Sequence, residues 1–202
     1  MAVLRTVHPI EAESYRLLRE AVDTARLPAR TRDVVERVVH TTADPTWLPD
    51  LVVDEAALAA GADALAAGAP LVVDVAMVAA GITRYPSTCL VAAPEAARLA
   101  AEHGLTRSAA AIRLAARQHA DGAVWAIGNA PTALFELVRL AEAGQVRPAL
   151  VVGVPVGYVG AAESKAALRA AGLPQLSNRS ARGGSAIAAA AVNALLYGDP
   201  LP

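Results

Sequence analysis

The sequence predicts an α/β fold, a mainly parallel five-stranded sheet between helical layers. Two observations carry this. From residue 71 onward, short apolar runs alternate with stretches of helical length and pattern, the signature of strand–helix–strand crossovers. The runs LVVDVAM (71–77), TCLVA (88–92), AVWAI (123–127) and ALVVGV (149–154) are also continuous, not alternating, as in strands covered on both faces. A weaker run lies near LPQLS (173–177).

In chain order, residues 9–27 read as a helix, with Pro9 in its first turn and an apolar stripe of Ile10, Tyr15, Leu17, Leu18 and Val22. A second helix spans 30–39. Leu51–Val53 is a short extended piece, and residues 54–67 form an alanine-rich helix with Asp54 as its cap and Gly68 at its end. Helices over 94–103, 106–119, 131–143 and 161–171 separate the later strands, and a last one follows Gly183-Gly184 to Tyr197. No repeat, linker or charge block divides the chain, so a single domain over 1–202 is expected.

Composition narrows the function. At 55% hydrophobic and 18% charged, 202 residues support a packed core, and a net charge of −1 gives no general attraction to nucleic acid or anionic membranes. Among the 18 basic residues only Lys165 is a lysine, and arginine suits bidentate recognition of carboxylates. Cys89 is the single cysteine and sits in an apolar run, a small thiol with no disulfide to make. Residues 1–14 show no signal-like apolar core, and the longest uncharged stretch, GGSAIAAAAVNALLYG, is shorter than a membrane span. A soluble, cytoplasmic protein is expected.

Parallel sheets bind ligands at the carboxyl ends of their strands. Three loops there are glycine-rich or open a helix: GNAPT (128–132), GVPVGYVGAAESK (153–165) and SNRSARGGS (177–185). Glycine lets backbone N–H groups approach a ligand, and helix starts favour anions, so three such ends form a binding rim. The G-x-x-x-G-x-x-G spacing at 153–160 is not the dinucleotide fingerprint, and no phosphate-loop motif occurs. The four histidines lie far apart and no CxxC or HExxH is present, which leaves no metal site. Ser14, Ser108 and Ser185 lack a nucleophile elbow. His103 and His119 fall near helix ends as surface imidazoles, and Asp74, inside an apolar strand, reads as structural.

In RVVHTTADP (37–45), an apolar segment brings His40 to the mouth of a loop. Two readings stand at this point: a partly buried imidazole hydrogen-bonded to backbone, or a proton donor or acceptor working near neutrality.

The chain resembles the precorrin-8X methylmutase family nearly end to end. The likeness runs through ESY (13–15), RVVH (37–40), AGITR (80–84), TRSAAA (106–111), AIGNAPTALFEL (126–137), PVGYVGAAESK (155–165) and RGGSAIAAAAVNALL (182–196). After His40 the chain reads TTADPTW, where many members carry a tight glycine turn, and YPSTC (85–89) lacks an asparagine often found there. The resemblance implies a flavodoxin-like three-layer α/β/α fold and a homodimer. It also implies methyl migration between adjacent ring carbons of a tetrapyrrole, precorrin-8X or its cobalt-containing counterpart, without metal or cofactor. It makes His40 the proton donor and puts Ser14 and Arg37 at substrate-binding positions. Thr41, Arg84, Asn129 and Gly157, in or beside the matched segments, extend that set. Arg107 and Ser108 at one helix start, and Arg182, Gly183, Gly184 and Ser185 at another, are expected to hold substrate carboxylates. A corrinoid carrier that keeps the rim but does not need His40 is the second reading. A nucleotide- or flavin-binding module is the third, and the missing phosphate motifs count against it.

Overall fold

The computed structural model describes residues 8–198; of the stretch read above as lacking a signal-like core, 1–7 lie outside the described residues. The elements are α1 (Pro9–Ala21), α2 (Ala29–Thr42), α3 (Trp47–Asp50), β1 (Leu51–Val53), α4 (Glu55–Ala66), β2 (Leu71–Val73), α5 (Ala76–Gly81), α6 (Pro94–His103), α7 (Arg107–Gln118), β3 (Val124–Ile127), α8 (Pro131–Glu142), β4 (Leu150–Gly153), α9 (Ala161–Ala170), β5 (Gln175–Asn178) and α10 (Ser185–Tyr197).

The sheet runs β1-β5-β4-β3-β2, with β2 to β5 parallel and β1 antiparallel to β5 at the edge. Because β2 to β5 are neighbours in chain order, crossovers of the usual right hand all step one way and put α7, α8 and α9 on one face, while α5 stays with α10 on the other. The face with α7, α8 and α9 packs Val72, Trp125, Ile127 and Val151 against Ile112 of α7, Leu134 and Leu137 of α8, and Leu168 of α9. The opposite face packs Leu71, Val73, Val124, Leu150 and Val152 against Val34 and Val38 of α2, Leu58 of α4 and the alanines of α10. Small residues let α10 lie close: a methyl group on Gly81 or Gly128 would collide with Ala189 or Ala188.

Five strands and a mainly parallel sheet are what the alternation implied, but two memberships differ. TCLVA (88–92) is not a strand; only Thr88 bridges Val72, and the chain then turns, Ala93 N–H bonding to the Leu90 carbonyl before Pro94 opens α6. The fifth strand is instead Leu51–Val53, paired with Leu176–Asn178. LVVDVAM keeps only Leu71–Val73 as strand: Asp74 turns away, and the helix-favouring AMVAAG forms α5. Similarly α1 ends at Ala21, not residue 27. His40 does not sit at a loop mouth; α2 continues to Thr42 and ends at Ala43 in the left-handed region (φ 51°). Among the described residues no helix is long and apolar enough to cross a membrane.

Candidate active site

Helix α2 is started by a neighbour. The Glu55 carboxylate accepts from the backbone N–H groups of Arg30 (3.0 Å) and Thr31 (2.8 Å), supplying the cap that Pro28 cannot. The buried stripe Val34, Val35, Val38 and Val39 then orients the helix, and Arg37 and His40 share an adjacent face, three residues apart. Thr41 and Thr42 donate their hydroxyls back to the carbonyls of Arg37 and Val38, at 2.8 and 2.9 Å, and steady the last turn.

His40 is held by α1. Its Nδ1 lies 3.1 Å from Ser14 Oγ, and its ring stacks on Tyr15 at 4.7 Å between centroids and 12° between planes. A hydroxyl can donate to a bare ring nitrogen or accept from a protonated one, so Ser14 fits both charge states and engages only the Nδ1 side of the ring. The fully buried Tyr15 fixes the ring plane and offers a π face that an imidazolium favours. Burial pushes the His40 pKa below its ordinary 6.5; the Glu11 carboxylate pulls it back and the Arg37 guanidinium adds to the lowering.

The rim at the carboxyl ends of the strands is assembled by three buried or half-buried ionisable groups. Asp74, at the end of β2, accepts from the backbone N–H groups of Gly128 (3.0 Å), Asn129 (2.8 Å) and Ala130 (2.8 Å), which fixes the β3–α8 loop. Burial pushes its pKa up against the pull of those donors. The Asp50 carboxylate accepts from the Arg179 and Ser180 backbone, the Ser180 hydroxyl and the Asn178 amide. Burial opposes its charge, but these bonds win and hold its pKa below the usual value. Lys165 Nζ donates to Asn178 Oδ1 (2.8 Å) and to the carbonyls of Ser180 and Arg182 (both 2.6 Å).

Most of the glycine-rich ends expected at one rim do meet there. The Gly157 N–H bonds to the Ala181 carbonyl at 3.2 Å, the Gly184 N–H to Val154 at 3.0 Å, and the Thr106 and Thr132 hydroxyls touch at 2.7 Å, bringing the α7 start beside the α8 start. Arg107 and Asn129 are exposed there, Ser108 is half-buried and Ser185 buried. Gly183 is required by packing: at φ 157° its missing side chain would run into the Val154 and Pro155 carbonyl oxygens. Gly183→Ala is therefore expected to cost about 2 kcal/mol of stability through overpacking, read as a lower urea midpoint at unchanged slope. A midpoint equal to wild type would count against that tight approach.

The polar contacts of His40 go to α1, while α2 and the rim are joined through Arg182. Its guanidinium donates to Asp44 Oδ2 (2.8 Å) and Thr46 Oγ1 (2.7 Å) and lies 4.3 Å from the centre of the Trp47 ring. Arg182 thus ties the last loop to the chain just after His40 and spends its fork on the protein itself. Arg84 lies away from the rim, over the Tyr197 ring and lining a cavity with Arg37. Tyr15 and Asp50 were not singled out from the sequence. Tyr15 adjoins Ser14 in ESY, a usable signal; the partners of Asp50 lie some 130 positions away and leave none. Among the described residues no group of three or more His, Cys, Asp or Glu side chains could hold a metal ion.

The model of the precorrin-8X methylmutase family matches residues 9–198 of this chain. A precorrin-8X methylmutase of Pseudomonas aeruginosa is 44% identical over 200 residues, covering 95% of this chain and 96% of that protein. A cobalt-precorrin-8 methylmutase of Methanocaldococcus jannaschii is 42% identical over 163 residues, covering 81% and 77%. The solved structure of a precorrin-8X methylmutase from Thermus thermophilus superposes with a TM-score of 0.85 at 35% identity and covers 93% of each chain. With a family match across the whole described fold, and relatives this similar over nearly their full lengths, the chain belongs to the precorrin-8X methylmutase family.

Proposed function

We propose that this protein is an isomerase of cobalamin biosynthesis that converts precorrin-8X, or the cobalt-containing equivalent, by moving a methyl group between adjacent ring carbons. The relatives' names supply the reaction, and the observation that supports its chemistry here is the His40 imidazole held between Ser14 and Tyr15 beside Arg37. In this reading His40 Nε2 lends a proton to a ring nitrogen, which draws electrons through the conjugated system. The methyl carbon then breaks its bond to one ring carbon, forms one to the neighbour, and the proton is returned. Bond broken and bond formed both lie within the substrate, so the route calls for no electron carrier. Product is hydrogenobyrinate, or cobyrinate from the cobalt form.

Ser14 orients the acid. Arg37, Thr41 and Arg84 on its side, and Arg107, Ser108, Asn129, Gly157, Arg182, Gly183, Gly184 and Ser185 on the rim, are proposed to receive the macrocycle and its acetate and propionate arms. Two of these serve by shaping the rim: Gly183 by close packing, and Arg182 by the link of its guanidinium to Asp44. We further read the molecule as one domain over 1–202 with three layers, supported by apolar cores on both sheet faces, though the β1-β5-β4-β3-β2 order differs from the flavodoxin order. A cytoplasmic homodimer fits the family.

Purified protein incubated with precorrin-8X is expected to convert the pigment, followed by its visible spectrum. Tight binding without conversion would favour the carrier reading instead.

A further inference from the structure

Three arginines surround one cavity on α7 and α8, toward the ends of these helices that point away from the rim. Arg113 and Arg117 of α7 and Arg139 of α8 line it with Gln145, together with the apolar Ala116 and Leu140, and its volume is about 380 Å³. The Glu136 carboxylate, 5% exposed, is not among the lining groups. It accepts from Arg113 Nε (2.7 Å) and from Arg139 Nε (3.0 Å) and Nη2 (2.8 Å). Burial opposes its charge, but these bonds win and hold its pKa below the usual value.

Glu136 is therefore a buried anchor that presets two of the cations. It takes the Nε of each, so both terminal nitrogens of Arg113, and Nη1 of Arg139, have no acceptor among the described residues. Arg117 makes no hydrogen bond or ion pair with any described residue. Three guanidinium groups against one carboxylate leave two positive charges unanswered beside the cavity. Arg117 and Arg139 stand in the last turns of their helices, where terminal carbonyls favour a cation. That preference accounts for a cation at each helix end. It does not call for three to converge on one concavity, nor for a buried carboxylate to fix two of them.

We propose that this cavity binds a phosphoryl-bearing anion, at a site separate from the rim and from His40. A phosphoryl group carries a charge of about −1.5 to −2 near neutral pH, which matches the two unanswered cations. Its oxygens accept from several directions, as the free N–H groups of two helices supply, whereas a lone carboxylate is satisfied by a single planar fork. Ala116 and Leu140 offer no side-chain hydrogen bond, so recognition stays with the charged group. The bound anion bridges α7 and α8, whose starts already meet at the rim through the Thr106 and Thr132 hydroxyls. Nothing in this proposal depends on the tetrapyrrole reading.

The test is calorimetric titration of the full chain with pyrophosphate and with ADP, at an ionic strength held constant with chloride. Pyrophosphate is expected to bind at one site with a Kd below about 1 mM. ADP of equal affinity would show that the phosphoryl oxygens alone are read, and tighter ADP binding would add the nucleoside to the ligand. Arg117→Gln is expected to raise Kd about tenfold, and Arg117→Glu to abolish binding. Arg107→Gln, altered at the rim, should keep wild-type affinity. A role confined to the helix end predicts something else: Arg117→Gln with a lower ligand-free melting temperature and an unchanged Kd, a result that overturns the proposal. Binding lost in Arg107→Gln and kept in Arg117→Gln would put the anion at the rim and equally overturn it, as would wild type with no saturable uptake.

Discussion

Replacing His40 by alanine or glutamine is expected to lower turnover by about 10²–10⁴-fold, the usual worth of a positioned general acid. Pigment binding should stay within a few-fold of wild type, because in the proposed role the imidazole contributes a proton and not the carboxylate contacts. The pH dependence follows from its surroundings. Burial and Arg37 make the free imidazole harder to protonate than an ordinary histidine, so kcat/KM should fall as pH rises through a value below 6.5. Bound substrate brings carboxylates near the ring and favours imidazolium, so the inflexion in kcat should lie at higher pH. Ser14→Ala should keep part of the activity, since Tyr15 still fixes the ring plane. An alanine variant at position 40 with wild-type turnover, or a kcat/KM profile flat between pH 5 and 8, would remove His40 from the chemistry.

Lys165→Met is expected to destabilise the protein by about 4 kcal/mol, within the range for removing one partner from a buried ionic cluster. The side chain is fully buried, and Met matches its bulk without its donors. The substitution strands Asn178 Oδ1 and the Ser180 and Arg182 carbonyls in a site from which water is excluded. Burial pushes the Lys165 pKa down to about 8; Asp50 pulls it back and Arg169 adds to the fall. The amine is therefore mostly charged at pH 7. Between about 8 and the ordinary lysine value of 10.5 the unfolded chain holds this proton more tightly than the folded protein. Through this group stability thus rises with pH across that window, and the rise should vanish in Lys165→Met. Urea unfolding of both proteins at pH 7, 8.5 and 10 reads both effects. A variant within about 1 kcal/mol of wild type at pH 7 would mean the 178–182 loop holds itself.

What could be read directly from the chain were features carried by a few consecutive residues. Continuous Val-rich runs mark Leu71–Val73, Val124–Ile127 and Leu150–Gly153 as buried strands, because only strands covered on both faces lack polar alternation. The helices expected over 94–103, 106–119 and 131–143 match α6, α7 and α8 within a residue or so at each end. RVVH and the ESY segment point to His40 and Ser14, and the fold brings these two side chains to within 3.1 Å of each other.

Tertiary structure decided whatever depends on partners distant in sequence. Leu51–Val53 became the edge strand because Leu176–Asn178 offered it a ladder, while the equally apolar TCLVA found a single bridge at Val72. The partners of Asp74 and Lys165 are set only when the fold carries Gly128–Ala130 and Asn178–Arg182 to them. The same holds for the cavity joining Arg37 to Asn193 and Tyr197, drawn from opposite ends of the chain. Local propensity is a property of neighbours along the backbone, whereas burying a charge or pairing an edge is settled only by what the packed fold brings within hydrogen-bond reach.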